Sequence, residues 1–227
     1  MSQLQQIKRK WSGRPAIVAA PGPSLTNDVV EIVDTLPDEW VVLAVQDAYR
    51  LMPWADVLYG CDERWWDSQA GCMDFGGEKF STHDQGSTSN DKRAAAEKYN
   101  LTLVKGSPGV GFSLDQNLIH YGDNSGFQAL NLAVLFGSPY IVLVGFDMRH
   151  VGGKGHFFGD HKPPLFQRNE YQSFAKHFDK APPPDGVTII NATPDSALTC
   201  YPKMDLETAI ENHSLYRNRA VSHTGTG

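Results

Sequence analysis

The stretch "LVGFDMRHVGGKGHFFGDH", Leu143 to His161, puts three histidines, two acids and two cations into a glycine-rich run that follows an apolar segment. An imidazole titrates near neutrality, so His150, His156 or His161 can take a proton from a nucleophilic hydroxyl or return one to a leaving phosphate. Arg149 or Lys154 can neutralise a diphosphate. His150, His156, His161, Asp147 and Asp160 also include enough ligands for a metal ion, but their spacings match no metal motif, so the acid–base reading ranks above it. A solvated polar loop is the plain alternative.

A second group of residues suits the binding of an anion or a nucleotide. "IVAAPGPSLT" runs four apolar residues into a Pro-Gly-Pro turn. In it Gly22 lets a ligand approach the backbone, and Ser24 can cap the next helix while offering its hydroxyl to an anion. Neither a three-glycine dinucleotide fingerprint nor a phosphate loop with its lysine is present, and a tight strand-to-helix turn explains the residues equally well. "VQDAY" and "GCDERWW" put Gln46, Asp47 and Asp62 where further strands end. A carboxylate there can accept from a ribose or a base, or hold a metal, but either acid can equally be a helix N-cap, the reading preferred for Asp47. Trp65 and Trp66 read as core. "DNSGFQALNLA" sets Asn124, Ser125 and Gly126 at the start of an apolar helix, where free amides suit a phosphate.

These residues need a frame that brings strand ends and helix starts together. Short β-branched runs at Ala16–Ala20, Val41–Val45, Val57–Gly60, Leu101–Val104, Tyr140–Val144 and Thr188–Asn191 alternate with helical patterns. The helices read at Leu25–Leu36, Arg64–Ala70, Asp91–Tyr99, Gly126–Phe136 and Arg168–Lys180. That alternation predicts an α/β fold, a mostly parallel sheet with helices on both faces. Gly71–Asn90 reads as a mobile loop, and Lys105–Gly122 and His150–Phe166 as further Gly/Pro-rich excursions. One catalytic domain is expected over 15–220, with an N-terminal extension at 1–14 and a disordered tail at 221–227.

With 227 residues, 41% of them hydrophobic, the chain can bury one substantial core. A net charge of −6 gives no global attraction to nucleic acid or anionic membrane, so a nucleic-acid partner is disfavoured without being excluded. Three cysteines without metal-ligand spacing, no apolar leader and no apolar run of membrane-spanning length point to a cytoplasmic protein with reduced thiols. Composition leaves open whether it forms a homo-oligomer.

Taken together, "APGPSL", "SGFQALNLAVLFGSPYIVLVGFDM", "HFFGDH" and "NATPDSAL" resemble, in order and spacing, the bacterial sialyltransferases that use CMP-sialic acid. They equally resemble the related Rossmann-like proteins that include the archaeal-type 6-hydroxymethylpterin diphosphokinase. The resemblance covers about residues 15 to 207. It implies that Gly22, Pro23 and Ser24 bind the nucleotide phosphate, that Ser125, Gly126 and Asp147 face the nucleotide, and that Asn191 and Ser196 complete its pocket. It implies further that His156 or His161 is the general base. His161 is preferred because the Pro163-Pro164 turn follows it. Gln46 and Asp62 stand where the sialyltransferases carry asparagines, the acid being closer to the diphosphokinases, and Asp160 is inserted between Gly159 and His161.

The leading expectation is a glycosyltransferase that takes a nucleotide-activated sugar, a CMP-linked one being the candidate the resemblance implies, to an unidentified acceptor and requires no metal. The alternatives are an ATP-dependent diphosphokinase, with Mg²⁺ held by Asp62 or Asp147, and a non-catalytic nucleotide-binding protein of the same fold.

Overall fold

Strands buried on both faces read as unbroken apolar runs, because helices cover them on either side. "AIVA", "VVLAV" and "YIVLV" form three such strands, β1 (Ala16–Ala19), β2 (Val41–Val45) and β7 (Tyr140–Val144), each buried throughout. The computed structural model describes residues 4–83, 89–161, 165 and 171–223. Between and after these strands come α1 (Asn27–Asp34), β3 (Val57–Tyr59), α2 (Glu63–Ser68), β4 (Glu78–His83), α3 (Ser89–Tyr99), β5 (Thr102–Ser107), β6 (Leu118–His120), α4 (Ser125–Phe136), α5 (Tyr171–Asp179), β8 (Thr188–Asn191) and α6 (Leu206–His223).

The strands pair in parallel in the order β6-β5-β4-β3-β2-β1-β7-β8, the Rossmann-like α/β arrangement expected from the sequence. Because β2 to β6 extend from one side of β1 and β7 and β8 from the other, the order reverses between β1 and β7. In open parallel sheets ligands bind at that reversal, beyond the C-terminal strand ends.

Alternate residues of β1 feed two cores. Ala16 and Val18 pack with α4 through Phe127, Leu130 and Val134, while Ile17 and Ala19 pack with Val33 of α1, Trp65 and Trp66 of α2, and Leu206 of α6. All twelve residues of α4 are buried. Asn124 caps it through the Phe127 amide, and Gly137 ends it in the left-handed conformation at φ 90°. Among the described residues no helix is long and apolar enough to cross a membrane.

Several expectations are corrected. The predicted loop at Gly71–Asn90 contains β4, whose "EKFSTH" has one large apolar residue and so lacks a strand's usual signature. Three of its polar side chains, Lys79, Thr82 and His83, are buried with partners: Lys79 Nζ donates to the Gly71 carbonyl, the Thr82 hydroxyl to Gln128 Oε1, and His83 Nε2 accepts from Arg93. β6 lies inside the predicted excursion at Lys105–Gly122. α6 was not anticipated, and it takes in Val221, Ser222 and His223 of the predicted tail, whose last residues lie outside those described. Ile7 and Trp11, in the predicted extension, are buried in the α4 core, and the Ile7 amide donates to Gln116.

Candidate functional site

A cavity of about 230 Å³ opens at the reversal point. Its walls are the segments after β1 (Ala20, Gly22), β2 (Gln46), β3 (Cys61, Asp62) and β7 (Gly145 to Met148), the start of α4, and the loop carrying His156 and His161. Of the residues named from the sequence, Gly22, Gln46, Asp62, Ser125, Gly126, Asp147, His156 and His161 meet there. Pro23, Ser24, Asn191 and Ser196 do not line it.

The turn after β1 is packed against the turn after β7. The Gly22 amide donates to the Gly145 carbonyl at 3.1 Å, and the Ser24 amide and hydroxyl donate to Asp147 Oδ2 at 3.1 and 2.8 Å. A Cβ on Gly22 would lie 2.2 Å from both Asp147 Oδ2 and the Gly145 oxygen. Gly22 is therefore required by its close approach to the Gly145 backbone and the Asp147 side chain, a packing reason beside the expected one of making room for a phosphate. Ser24 gives its hydroxyl to Asp147, and Thr26 caps α1 in its place. Asn191 and Ser196 are likewise internal. Asn191 Oδ1 accepts from the Thr193 amide, and Ser196 Oγ donates to the Phe146 carbonyl.

The amides left for an anion are those of α4. Asn124 Oδ1 takes the Phe127 amide and the Asn124 carbonyl takes that of Gln128, so Ser125 and Gly126 supply the first-turn amides that neither cap nor ladder uses. Ser125 Oγ donates to Cys61 Sγ at 3.1 Å, and burial pushes that thiol's pKa up, so it stays protonated.

His156, also in the lining, stacks on Phe158 at 5.1 Å between centroids, with the His161 ring 4.9 Å away. Burial, and then the neighbouring His161, lower the His156 pKa. Its Nδ1 is enclosed without a partner. The Phe157 amide donates to the Pro21 carbonyl, and Tyr171 and Asp160 both bind Gly155, which ties this loop to the sheet edge. The Pro163-Pro164 turn, on which the preference for His161 rested, lies outside the described residues.

Asp47 was read as a cap. It sits inside a 3-10 turn, Gln46–Arg50, with 2% of its surface exposed, and its Oδ2 is 3.8 Å from His161 Nε2. Trp65 and Trp66 are core as expected, and Trp65 also lines the cavity and donates its indole N–H to Asp47 Oδ2 at 2.7 Å.

Among the described residues no lysine or arginine lines the cavity, and Arg149 pairs instead with Asp195. Asp62 caps α2 and holds the Arg64 guanidinium through both oxygens. Asp147 Oδ1 is enclosed and Oδ2 is taken by Ser24, so neither acid fits a preformed Mg²⁺ site. Among the described residues no three His, Cys, Asp or Glu side chains form a metal-holding group.

No protein-family model matches the chain, and none of the curated proteins does. Backbone strain marks the same cavity. Gln46, Asp123 and Met148 line it and are three of seven non-glycine residues with positive φ among those described, a conformation that persists only where surrounding packing enforces it.

Proposed function

We propose that the chain is a transferase that binds a nucleotide-activated donor at the sheet's reversal point, with His161 as general base. The observation that carries this reading is that the two uncommitted amides of α4 and the His161 ring face one small cavity. The helix end supplies donors and the positive end of its dipole to a phosphate, and the histidine removes the proton of an acceptor hydroxyl. The acceptor oxygen then bonds to the donor's electrophilic carbon, while the bond from that carbon to the phosphate oxygen breaks with its electron pair.

The lining favours a donor with a single phosphate. Two amides with no cationic side chain among the described lining residues suit the single negative charge of a CMP-sugar phosphodiester better than the charge of a triphosphate. Asp62 is bound to Arg64 and Asp147 Oδ2 to Ser24, which weighs against these acids as holders of the Mg²⁺ a diphosphokinase would ask for. A CMP-linked sugar is therefore the first donor to try.

Thermal unfolding with CMP, UMP, ATP, and ATP with Mg²⁺ tests the proposal. A ligand at a hundred times its Kd stabilises the native state by about 2.7 kcal/mol. That raises the midpoint by roughly 5–10 °C in a domain of this size. We expect CMP to do so without metal. A response to ATP only with Mg²⁺ would favour the diphosphokinase, and no response to any of the four would overturn nucleotide binding.

A further inference from the structure

Asp47 is removed from water almost completely, which is costly for a carboxylate unless its environment repays the lost hydration. Among the described residues, what surrounds it is sparse. Oδ2 has the Trp65 indole N–H at 2.7 Å and His161 Nε2 at 3.8 Å, and Oδ1 has the half-exposed Arg50 guanidinium at 3.6 Å. Only the indole is within hydrogen-bonding distance. Asp47 does not line the cavity, whereas His161 does, so the carboxylate stands behind the ring as seen from the ligand space.

We propose that Asp47 is the positioning residue of His161. It holds the ring with the proton on Nε2, facing the carboxylate, and leaves Nδ1 as the nitrogen with a free electron pair. This rests on the assignment of His161 as base and deepens it. The acceptor's proton passes to Nδ1, the Nε2 proton stays, and the carboxylate balances the imidazolium formed, as an oriented acid behind a catalytic histidine does. Contacts of this kind are often long without ligand and tighten when the substrate is bound. The Trp65 indole keeps the carboxylate oxygen turned toward the ring, which gives a fully buried tryptophan an indirect part in the site.

The tautomer can be read without any substrate. Nitrogen-edited NMR of the histidine rings is recorded on the full chain about two pH units above the ordinary imidazole value of about 6.5, with His161 assigned by its loss in His161→Ala. The native chain is expected to carry the His161 proton on Nε2. Trp65 and His161 share Oδ2, so Asp47→Asn is made together with Trp65→Phe, which frees the amide to turn its NH2 to the ring, and this double variant is expected to abolish that signal's dominance in favour of the Nδ1-protonated form. Trp65→Phe removes the indole but not the carboxylate, so it should lower the unfolding midpoint and keep the native tautomer. A native ring protonated on Nδ1, or a His161 tautomer unchanged in the double variant, overturns the proposal. Should the double variant fail to fold, the native tautomer still decides. Failure of the transferase reading would appear separately, as absence of nucleotide binding with the tautomer as expected.

Discussion

Gly22→Ala tests the packing on which the cavity depends. The added Cβ would sit 2.2 Å from the Gly145 carbonyl oxygen, which is backbone, and 2.2 Å from Asp147 Oδ2, which is held by Ser24. Neither can yield without separating the ends of β1 and β7. Overpacking of this kind costs about 1–3 kcal/mol. Separation also forfeits the Gly22–Gly145 hydrogen bond, about 1 kcal/mol, and the Ser24 bonds to a buried carboxylate, about 1.5–3 kcal/mol. The total is roughly 3.5 to 7 kcal/mol, which for a domain of this size lowers the unfolding midpoint by on the order of 10 °C or more. The assay is thermal unfolding followed by circular dichroism, with Gly76→Ala as control, because a Cβ there meets nothing within 4 Å and the residue is exposed. Equal midpoints for the two variants would refute the close approach of the turns.

Under the proposed chemistry, His161→Ala should slow consumption of a CMP-linked donor by roughly two to four orders of magnitude while CMP affinity measured calorimetrically stays within a few-fold. Unchanged turnover would remove His161 as base. The folded His156 pKa is depressed by burial, so its neutral form contributes stability present above the unfolded imidazole value of about 6.5 and lost as pH falls from there through the lowered folded value. His156→Phe should therefore flatten the acid-side fall in chemical-denaturation stability, and a slope identical to the native one would contradict the burial argument. Phe127→Ala opens a hole beneath α4 and should cost about 3–5 kcal/mol in the same assay, against which a loss under 1 kcal/mol would count.

The frame was legible where one physical signal dominated. β1, β2 and β7 are unbroken apolar runs, and α4 is apolar all round between an asparagine cap and a stop glycine, so each was readable from composition and period alone. β4 was not, because its buried Lys79, Thr82 and His83 are tolerated through partners distant in sequence, such as Gln128 for Thr82. The site shows the same division. Residues at strand ends and at the start of α4 were found because topology sends them to one edge. What each side chain does there depends on contacts between turns far apart in the chain. Ser24 and Asp147 satisfy each other, Asn191 and Ser196 hold backbone, and Asp47 turns to His161 in place of capping a helix. A local pattern cannot distinguish a hydroxyl left open to an anion from one already given to a carboxylate.

The most direct test is a titration of the full chain with CMP followed by backbone amide NMR. Phosphate at the start of α4 should shift the Ser125 and Gly126 amides more than any in the turn at residues 20–24, with the His161 ring moving in the same titration. Saturable binding that leaves Ser125 and Gly126 unmoved and perturbs the Gly22 and Ser24 amides would contradict the site. So would the absence of any saturable shift.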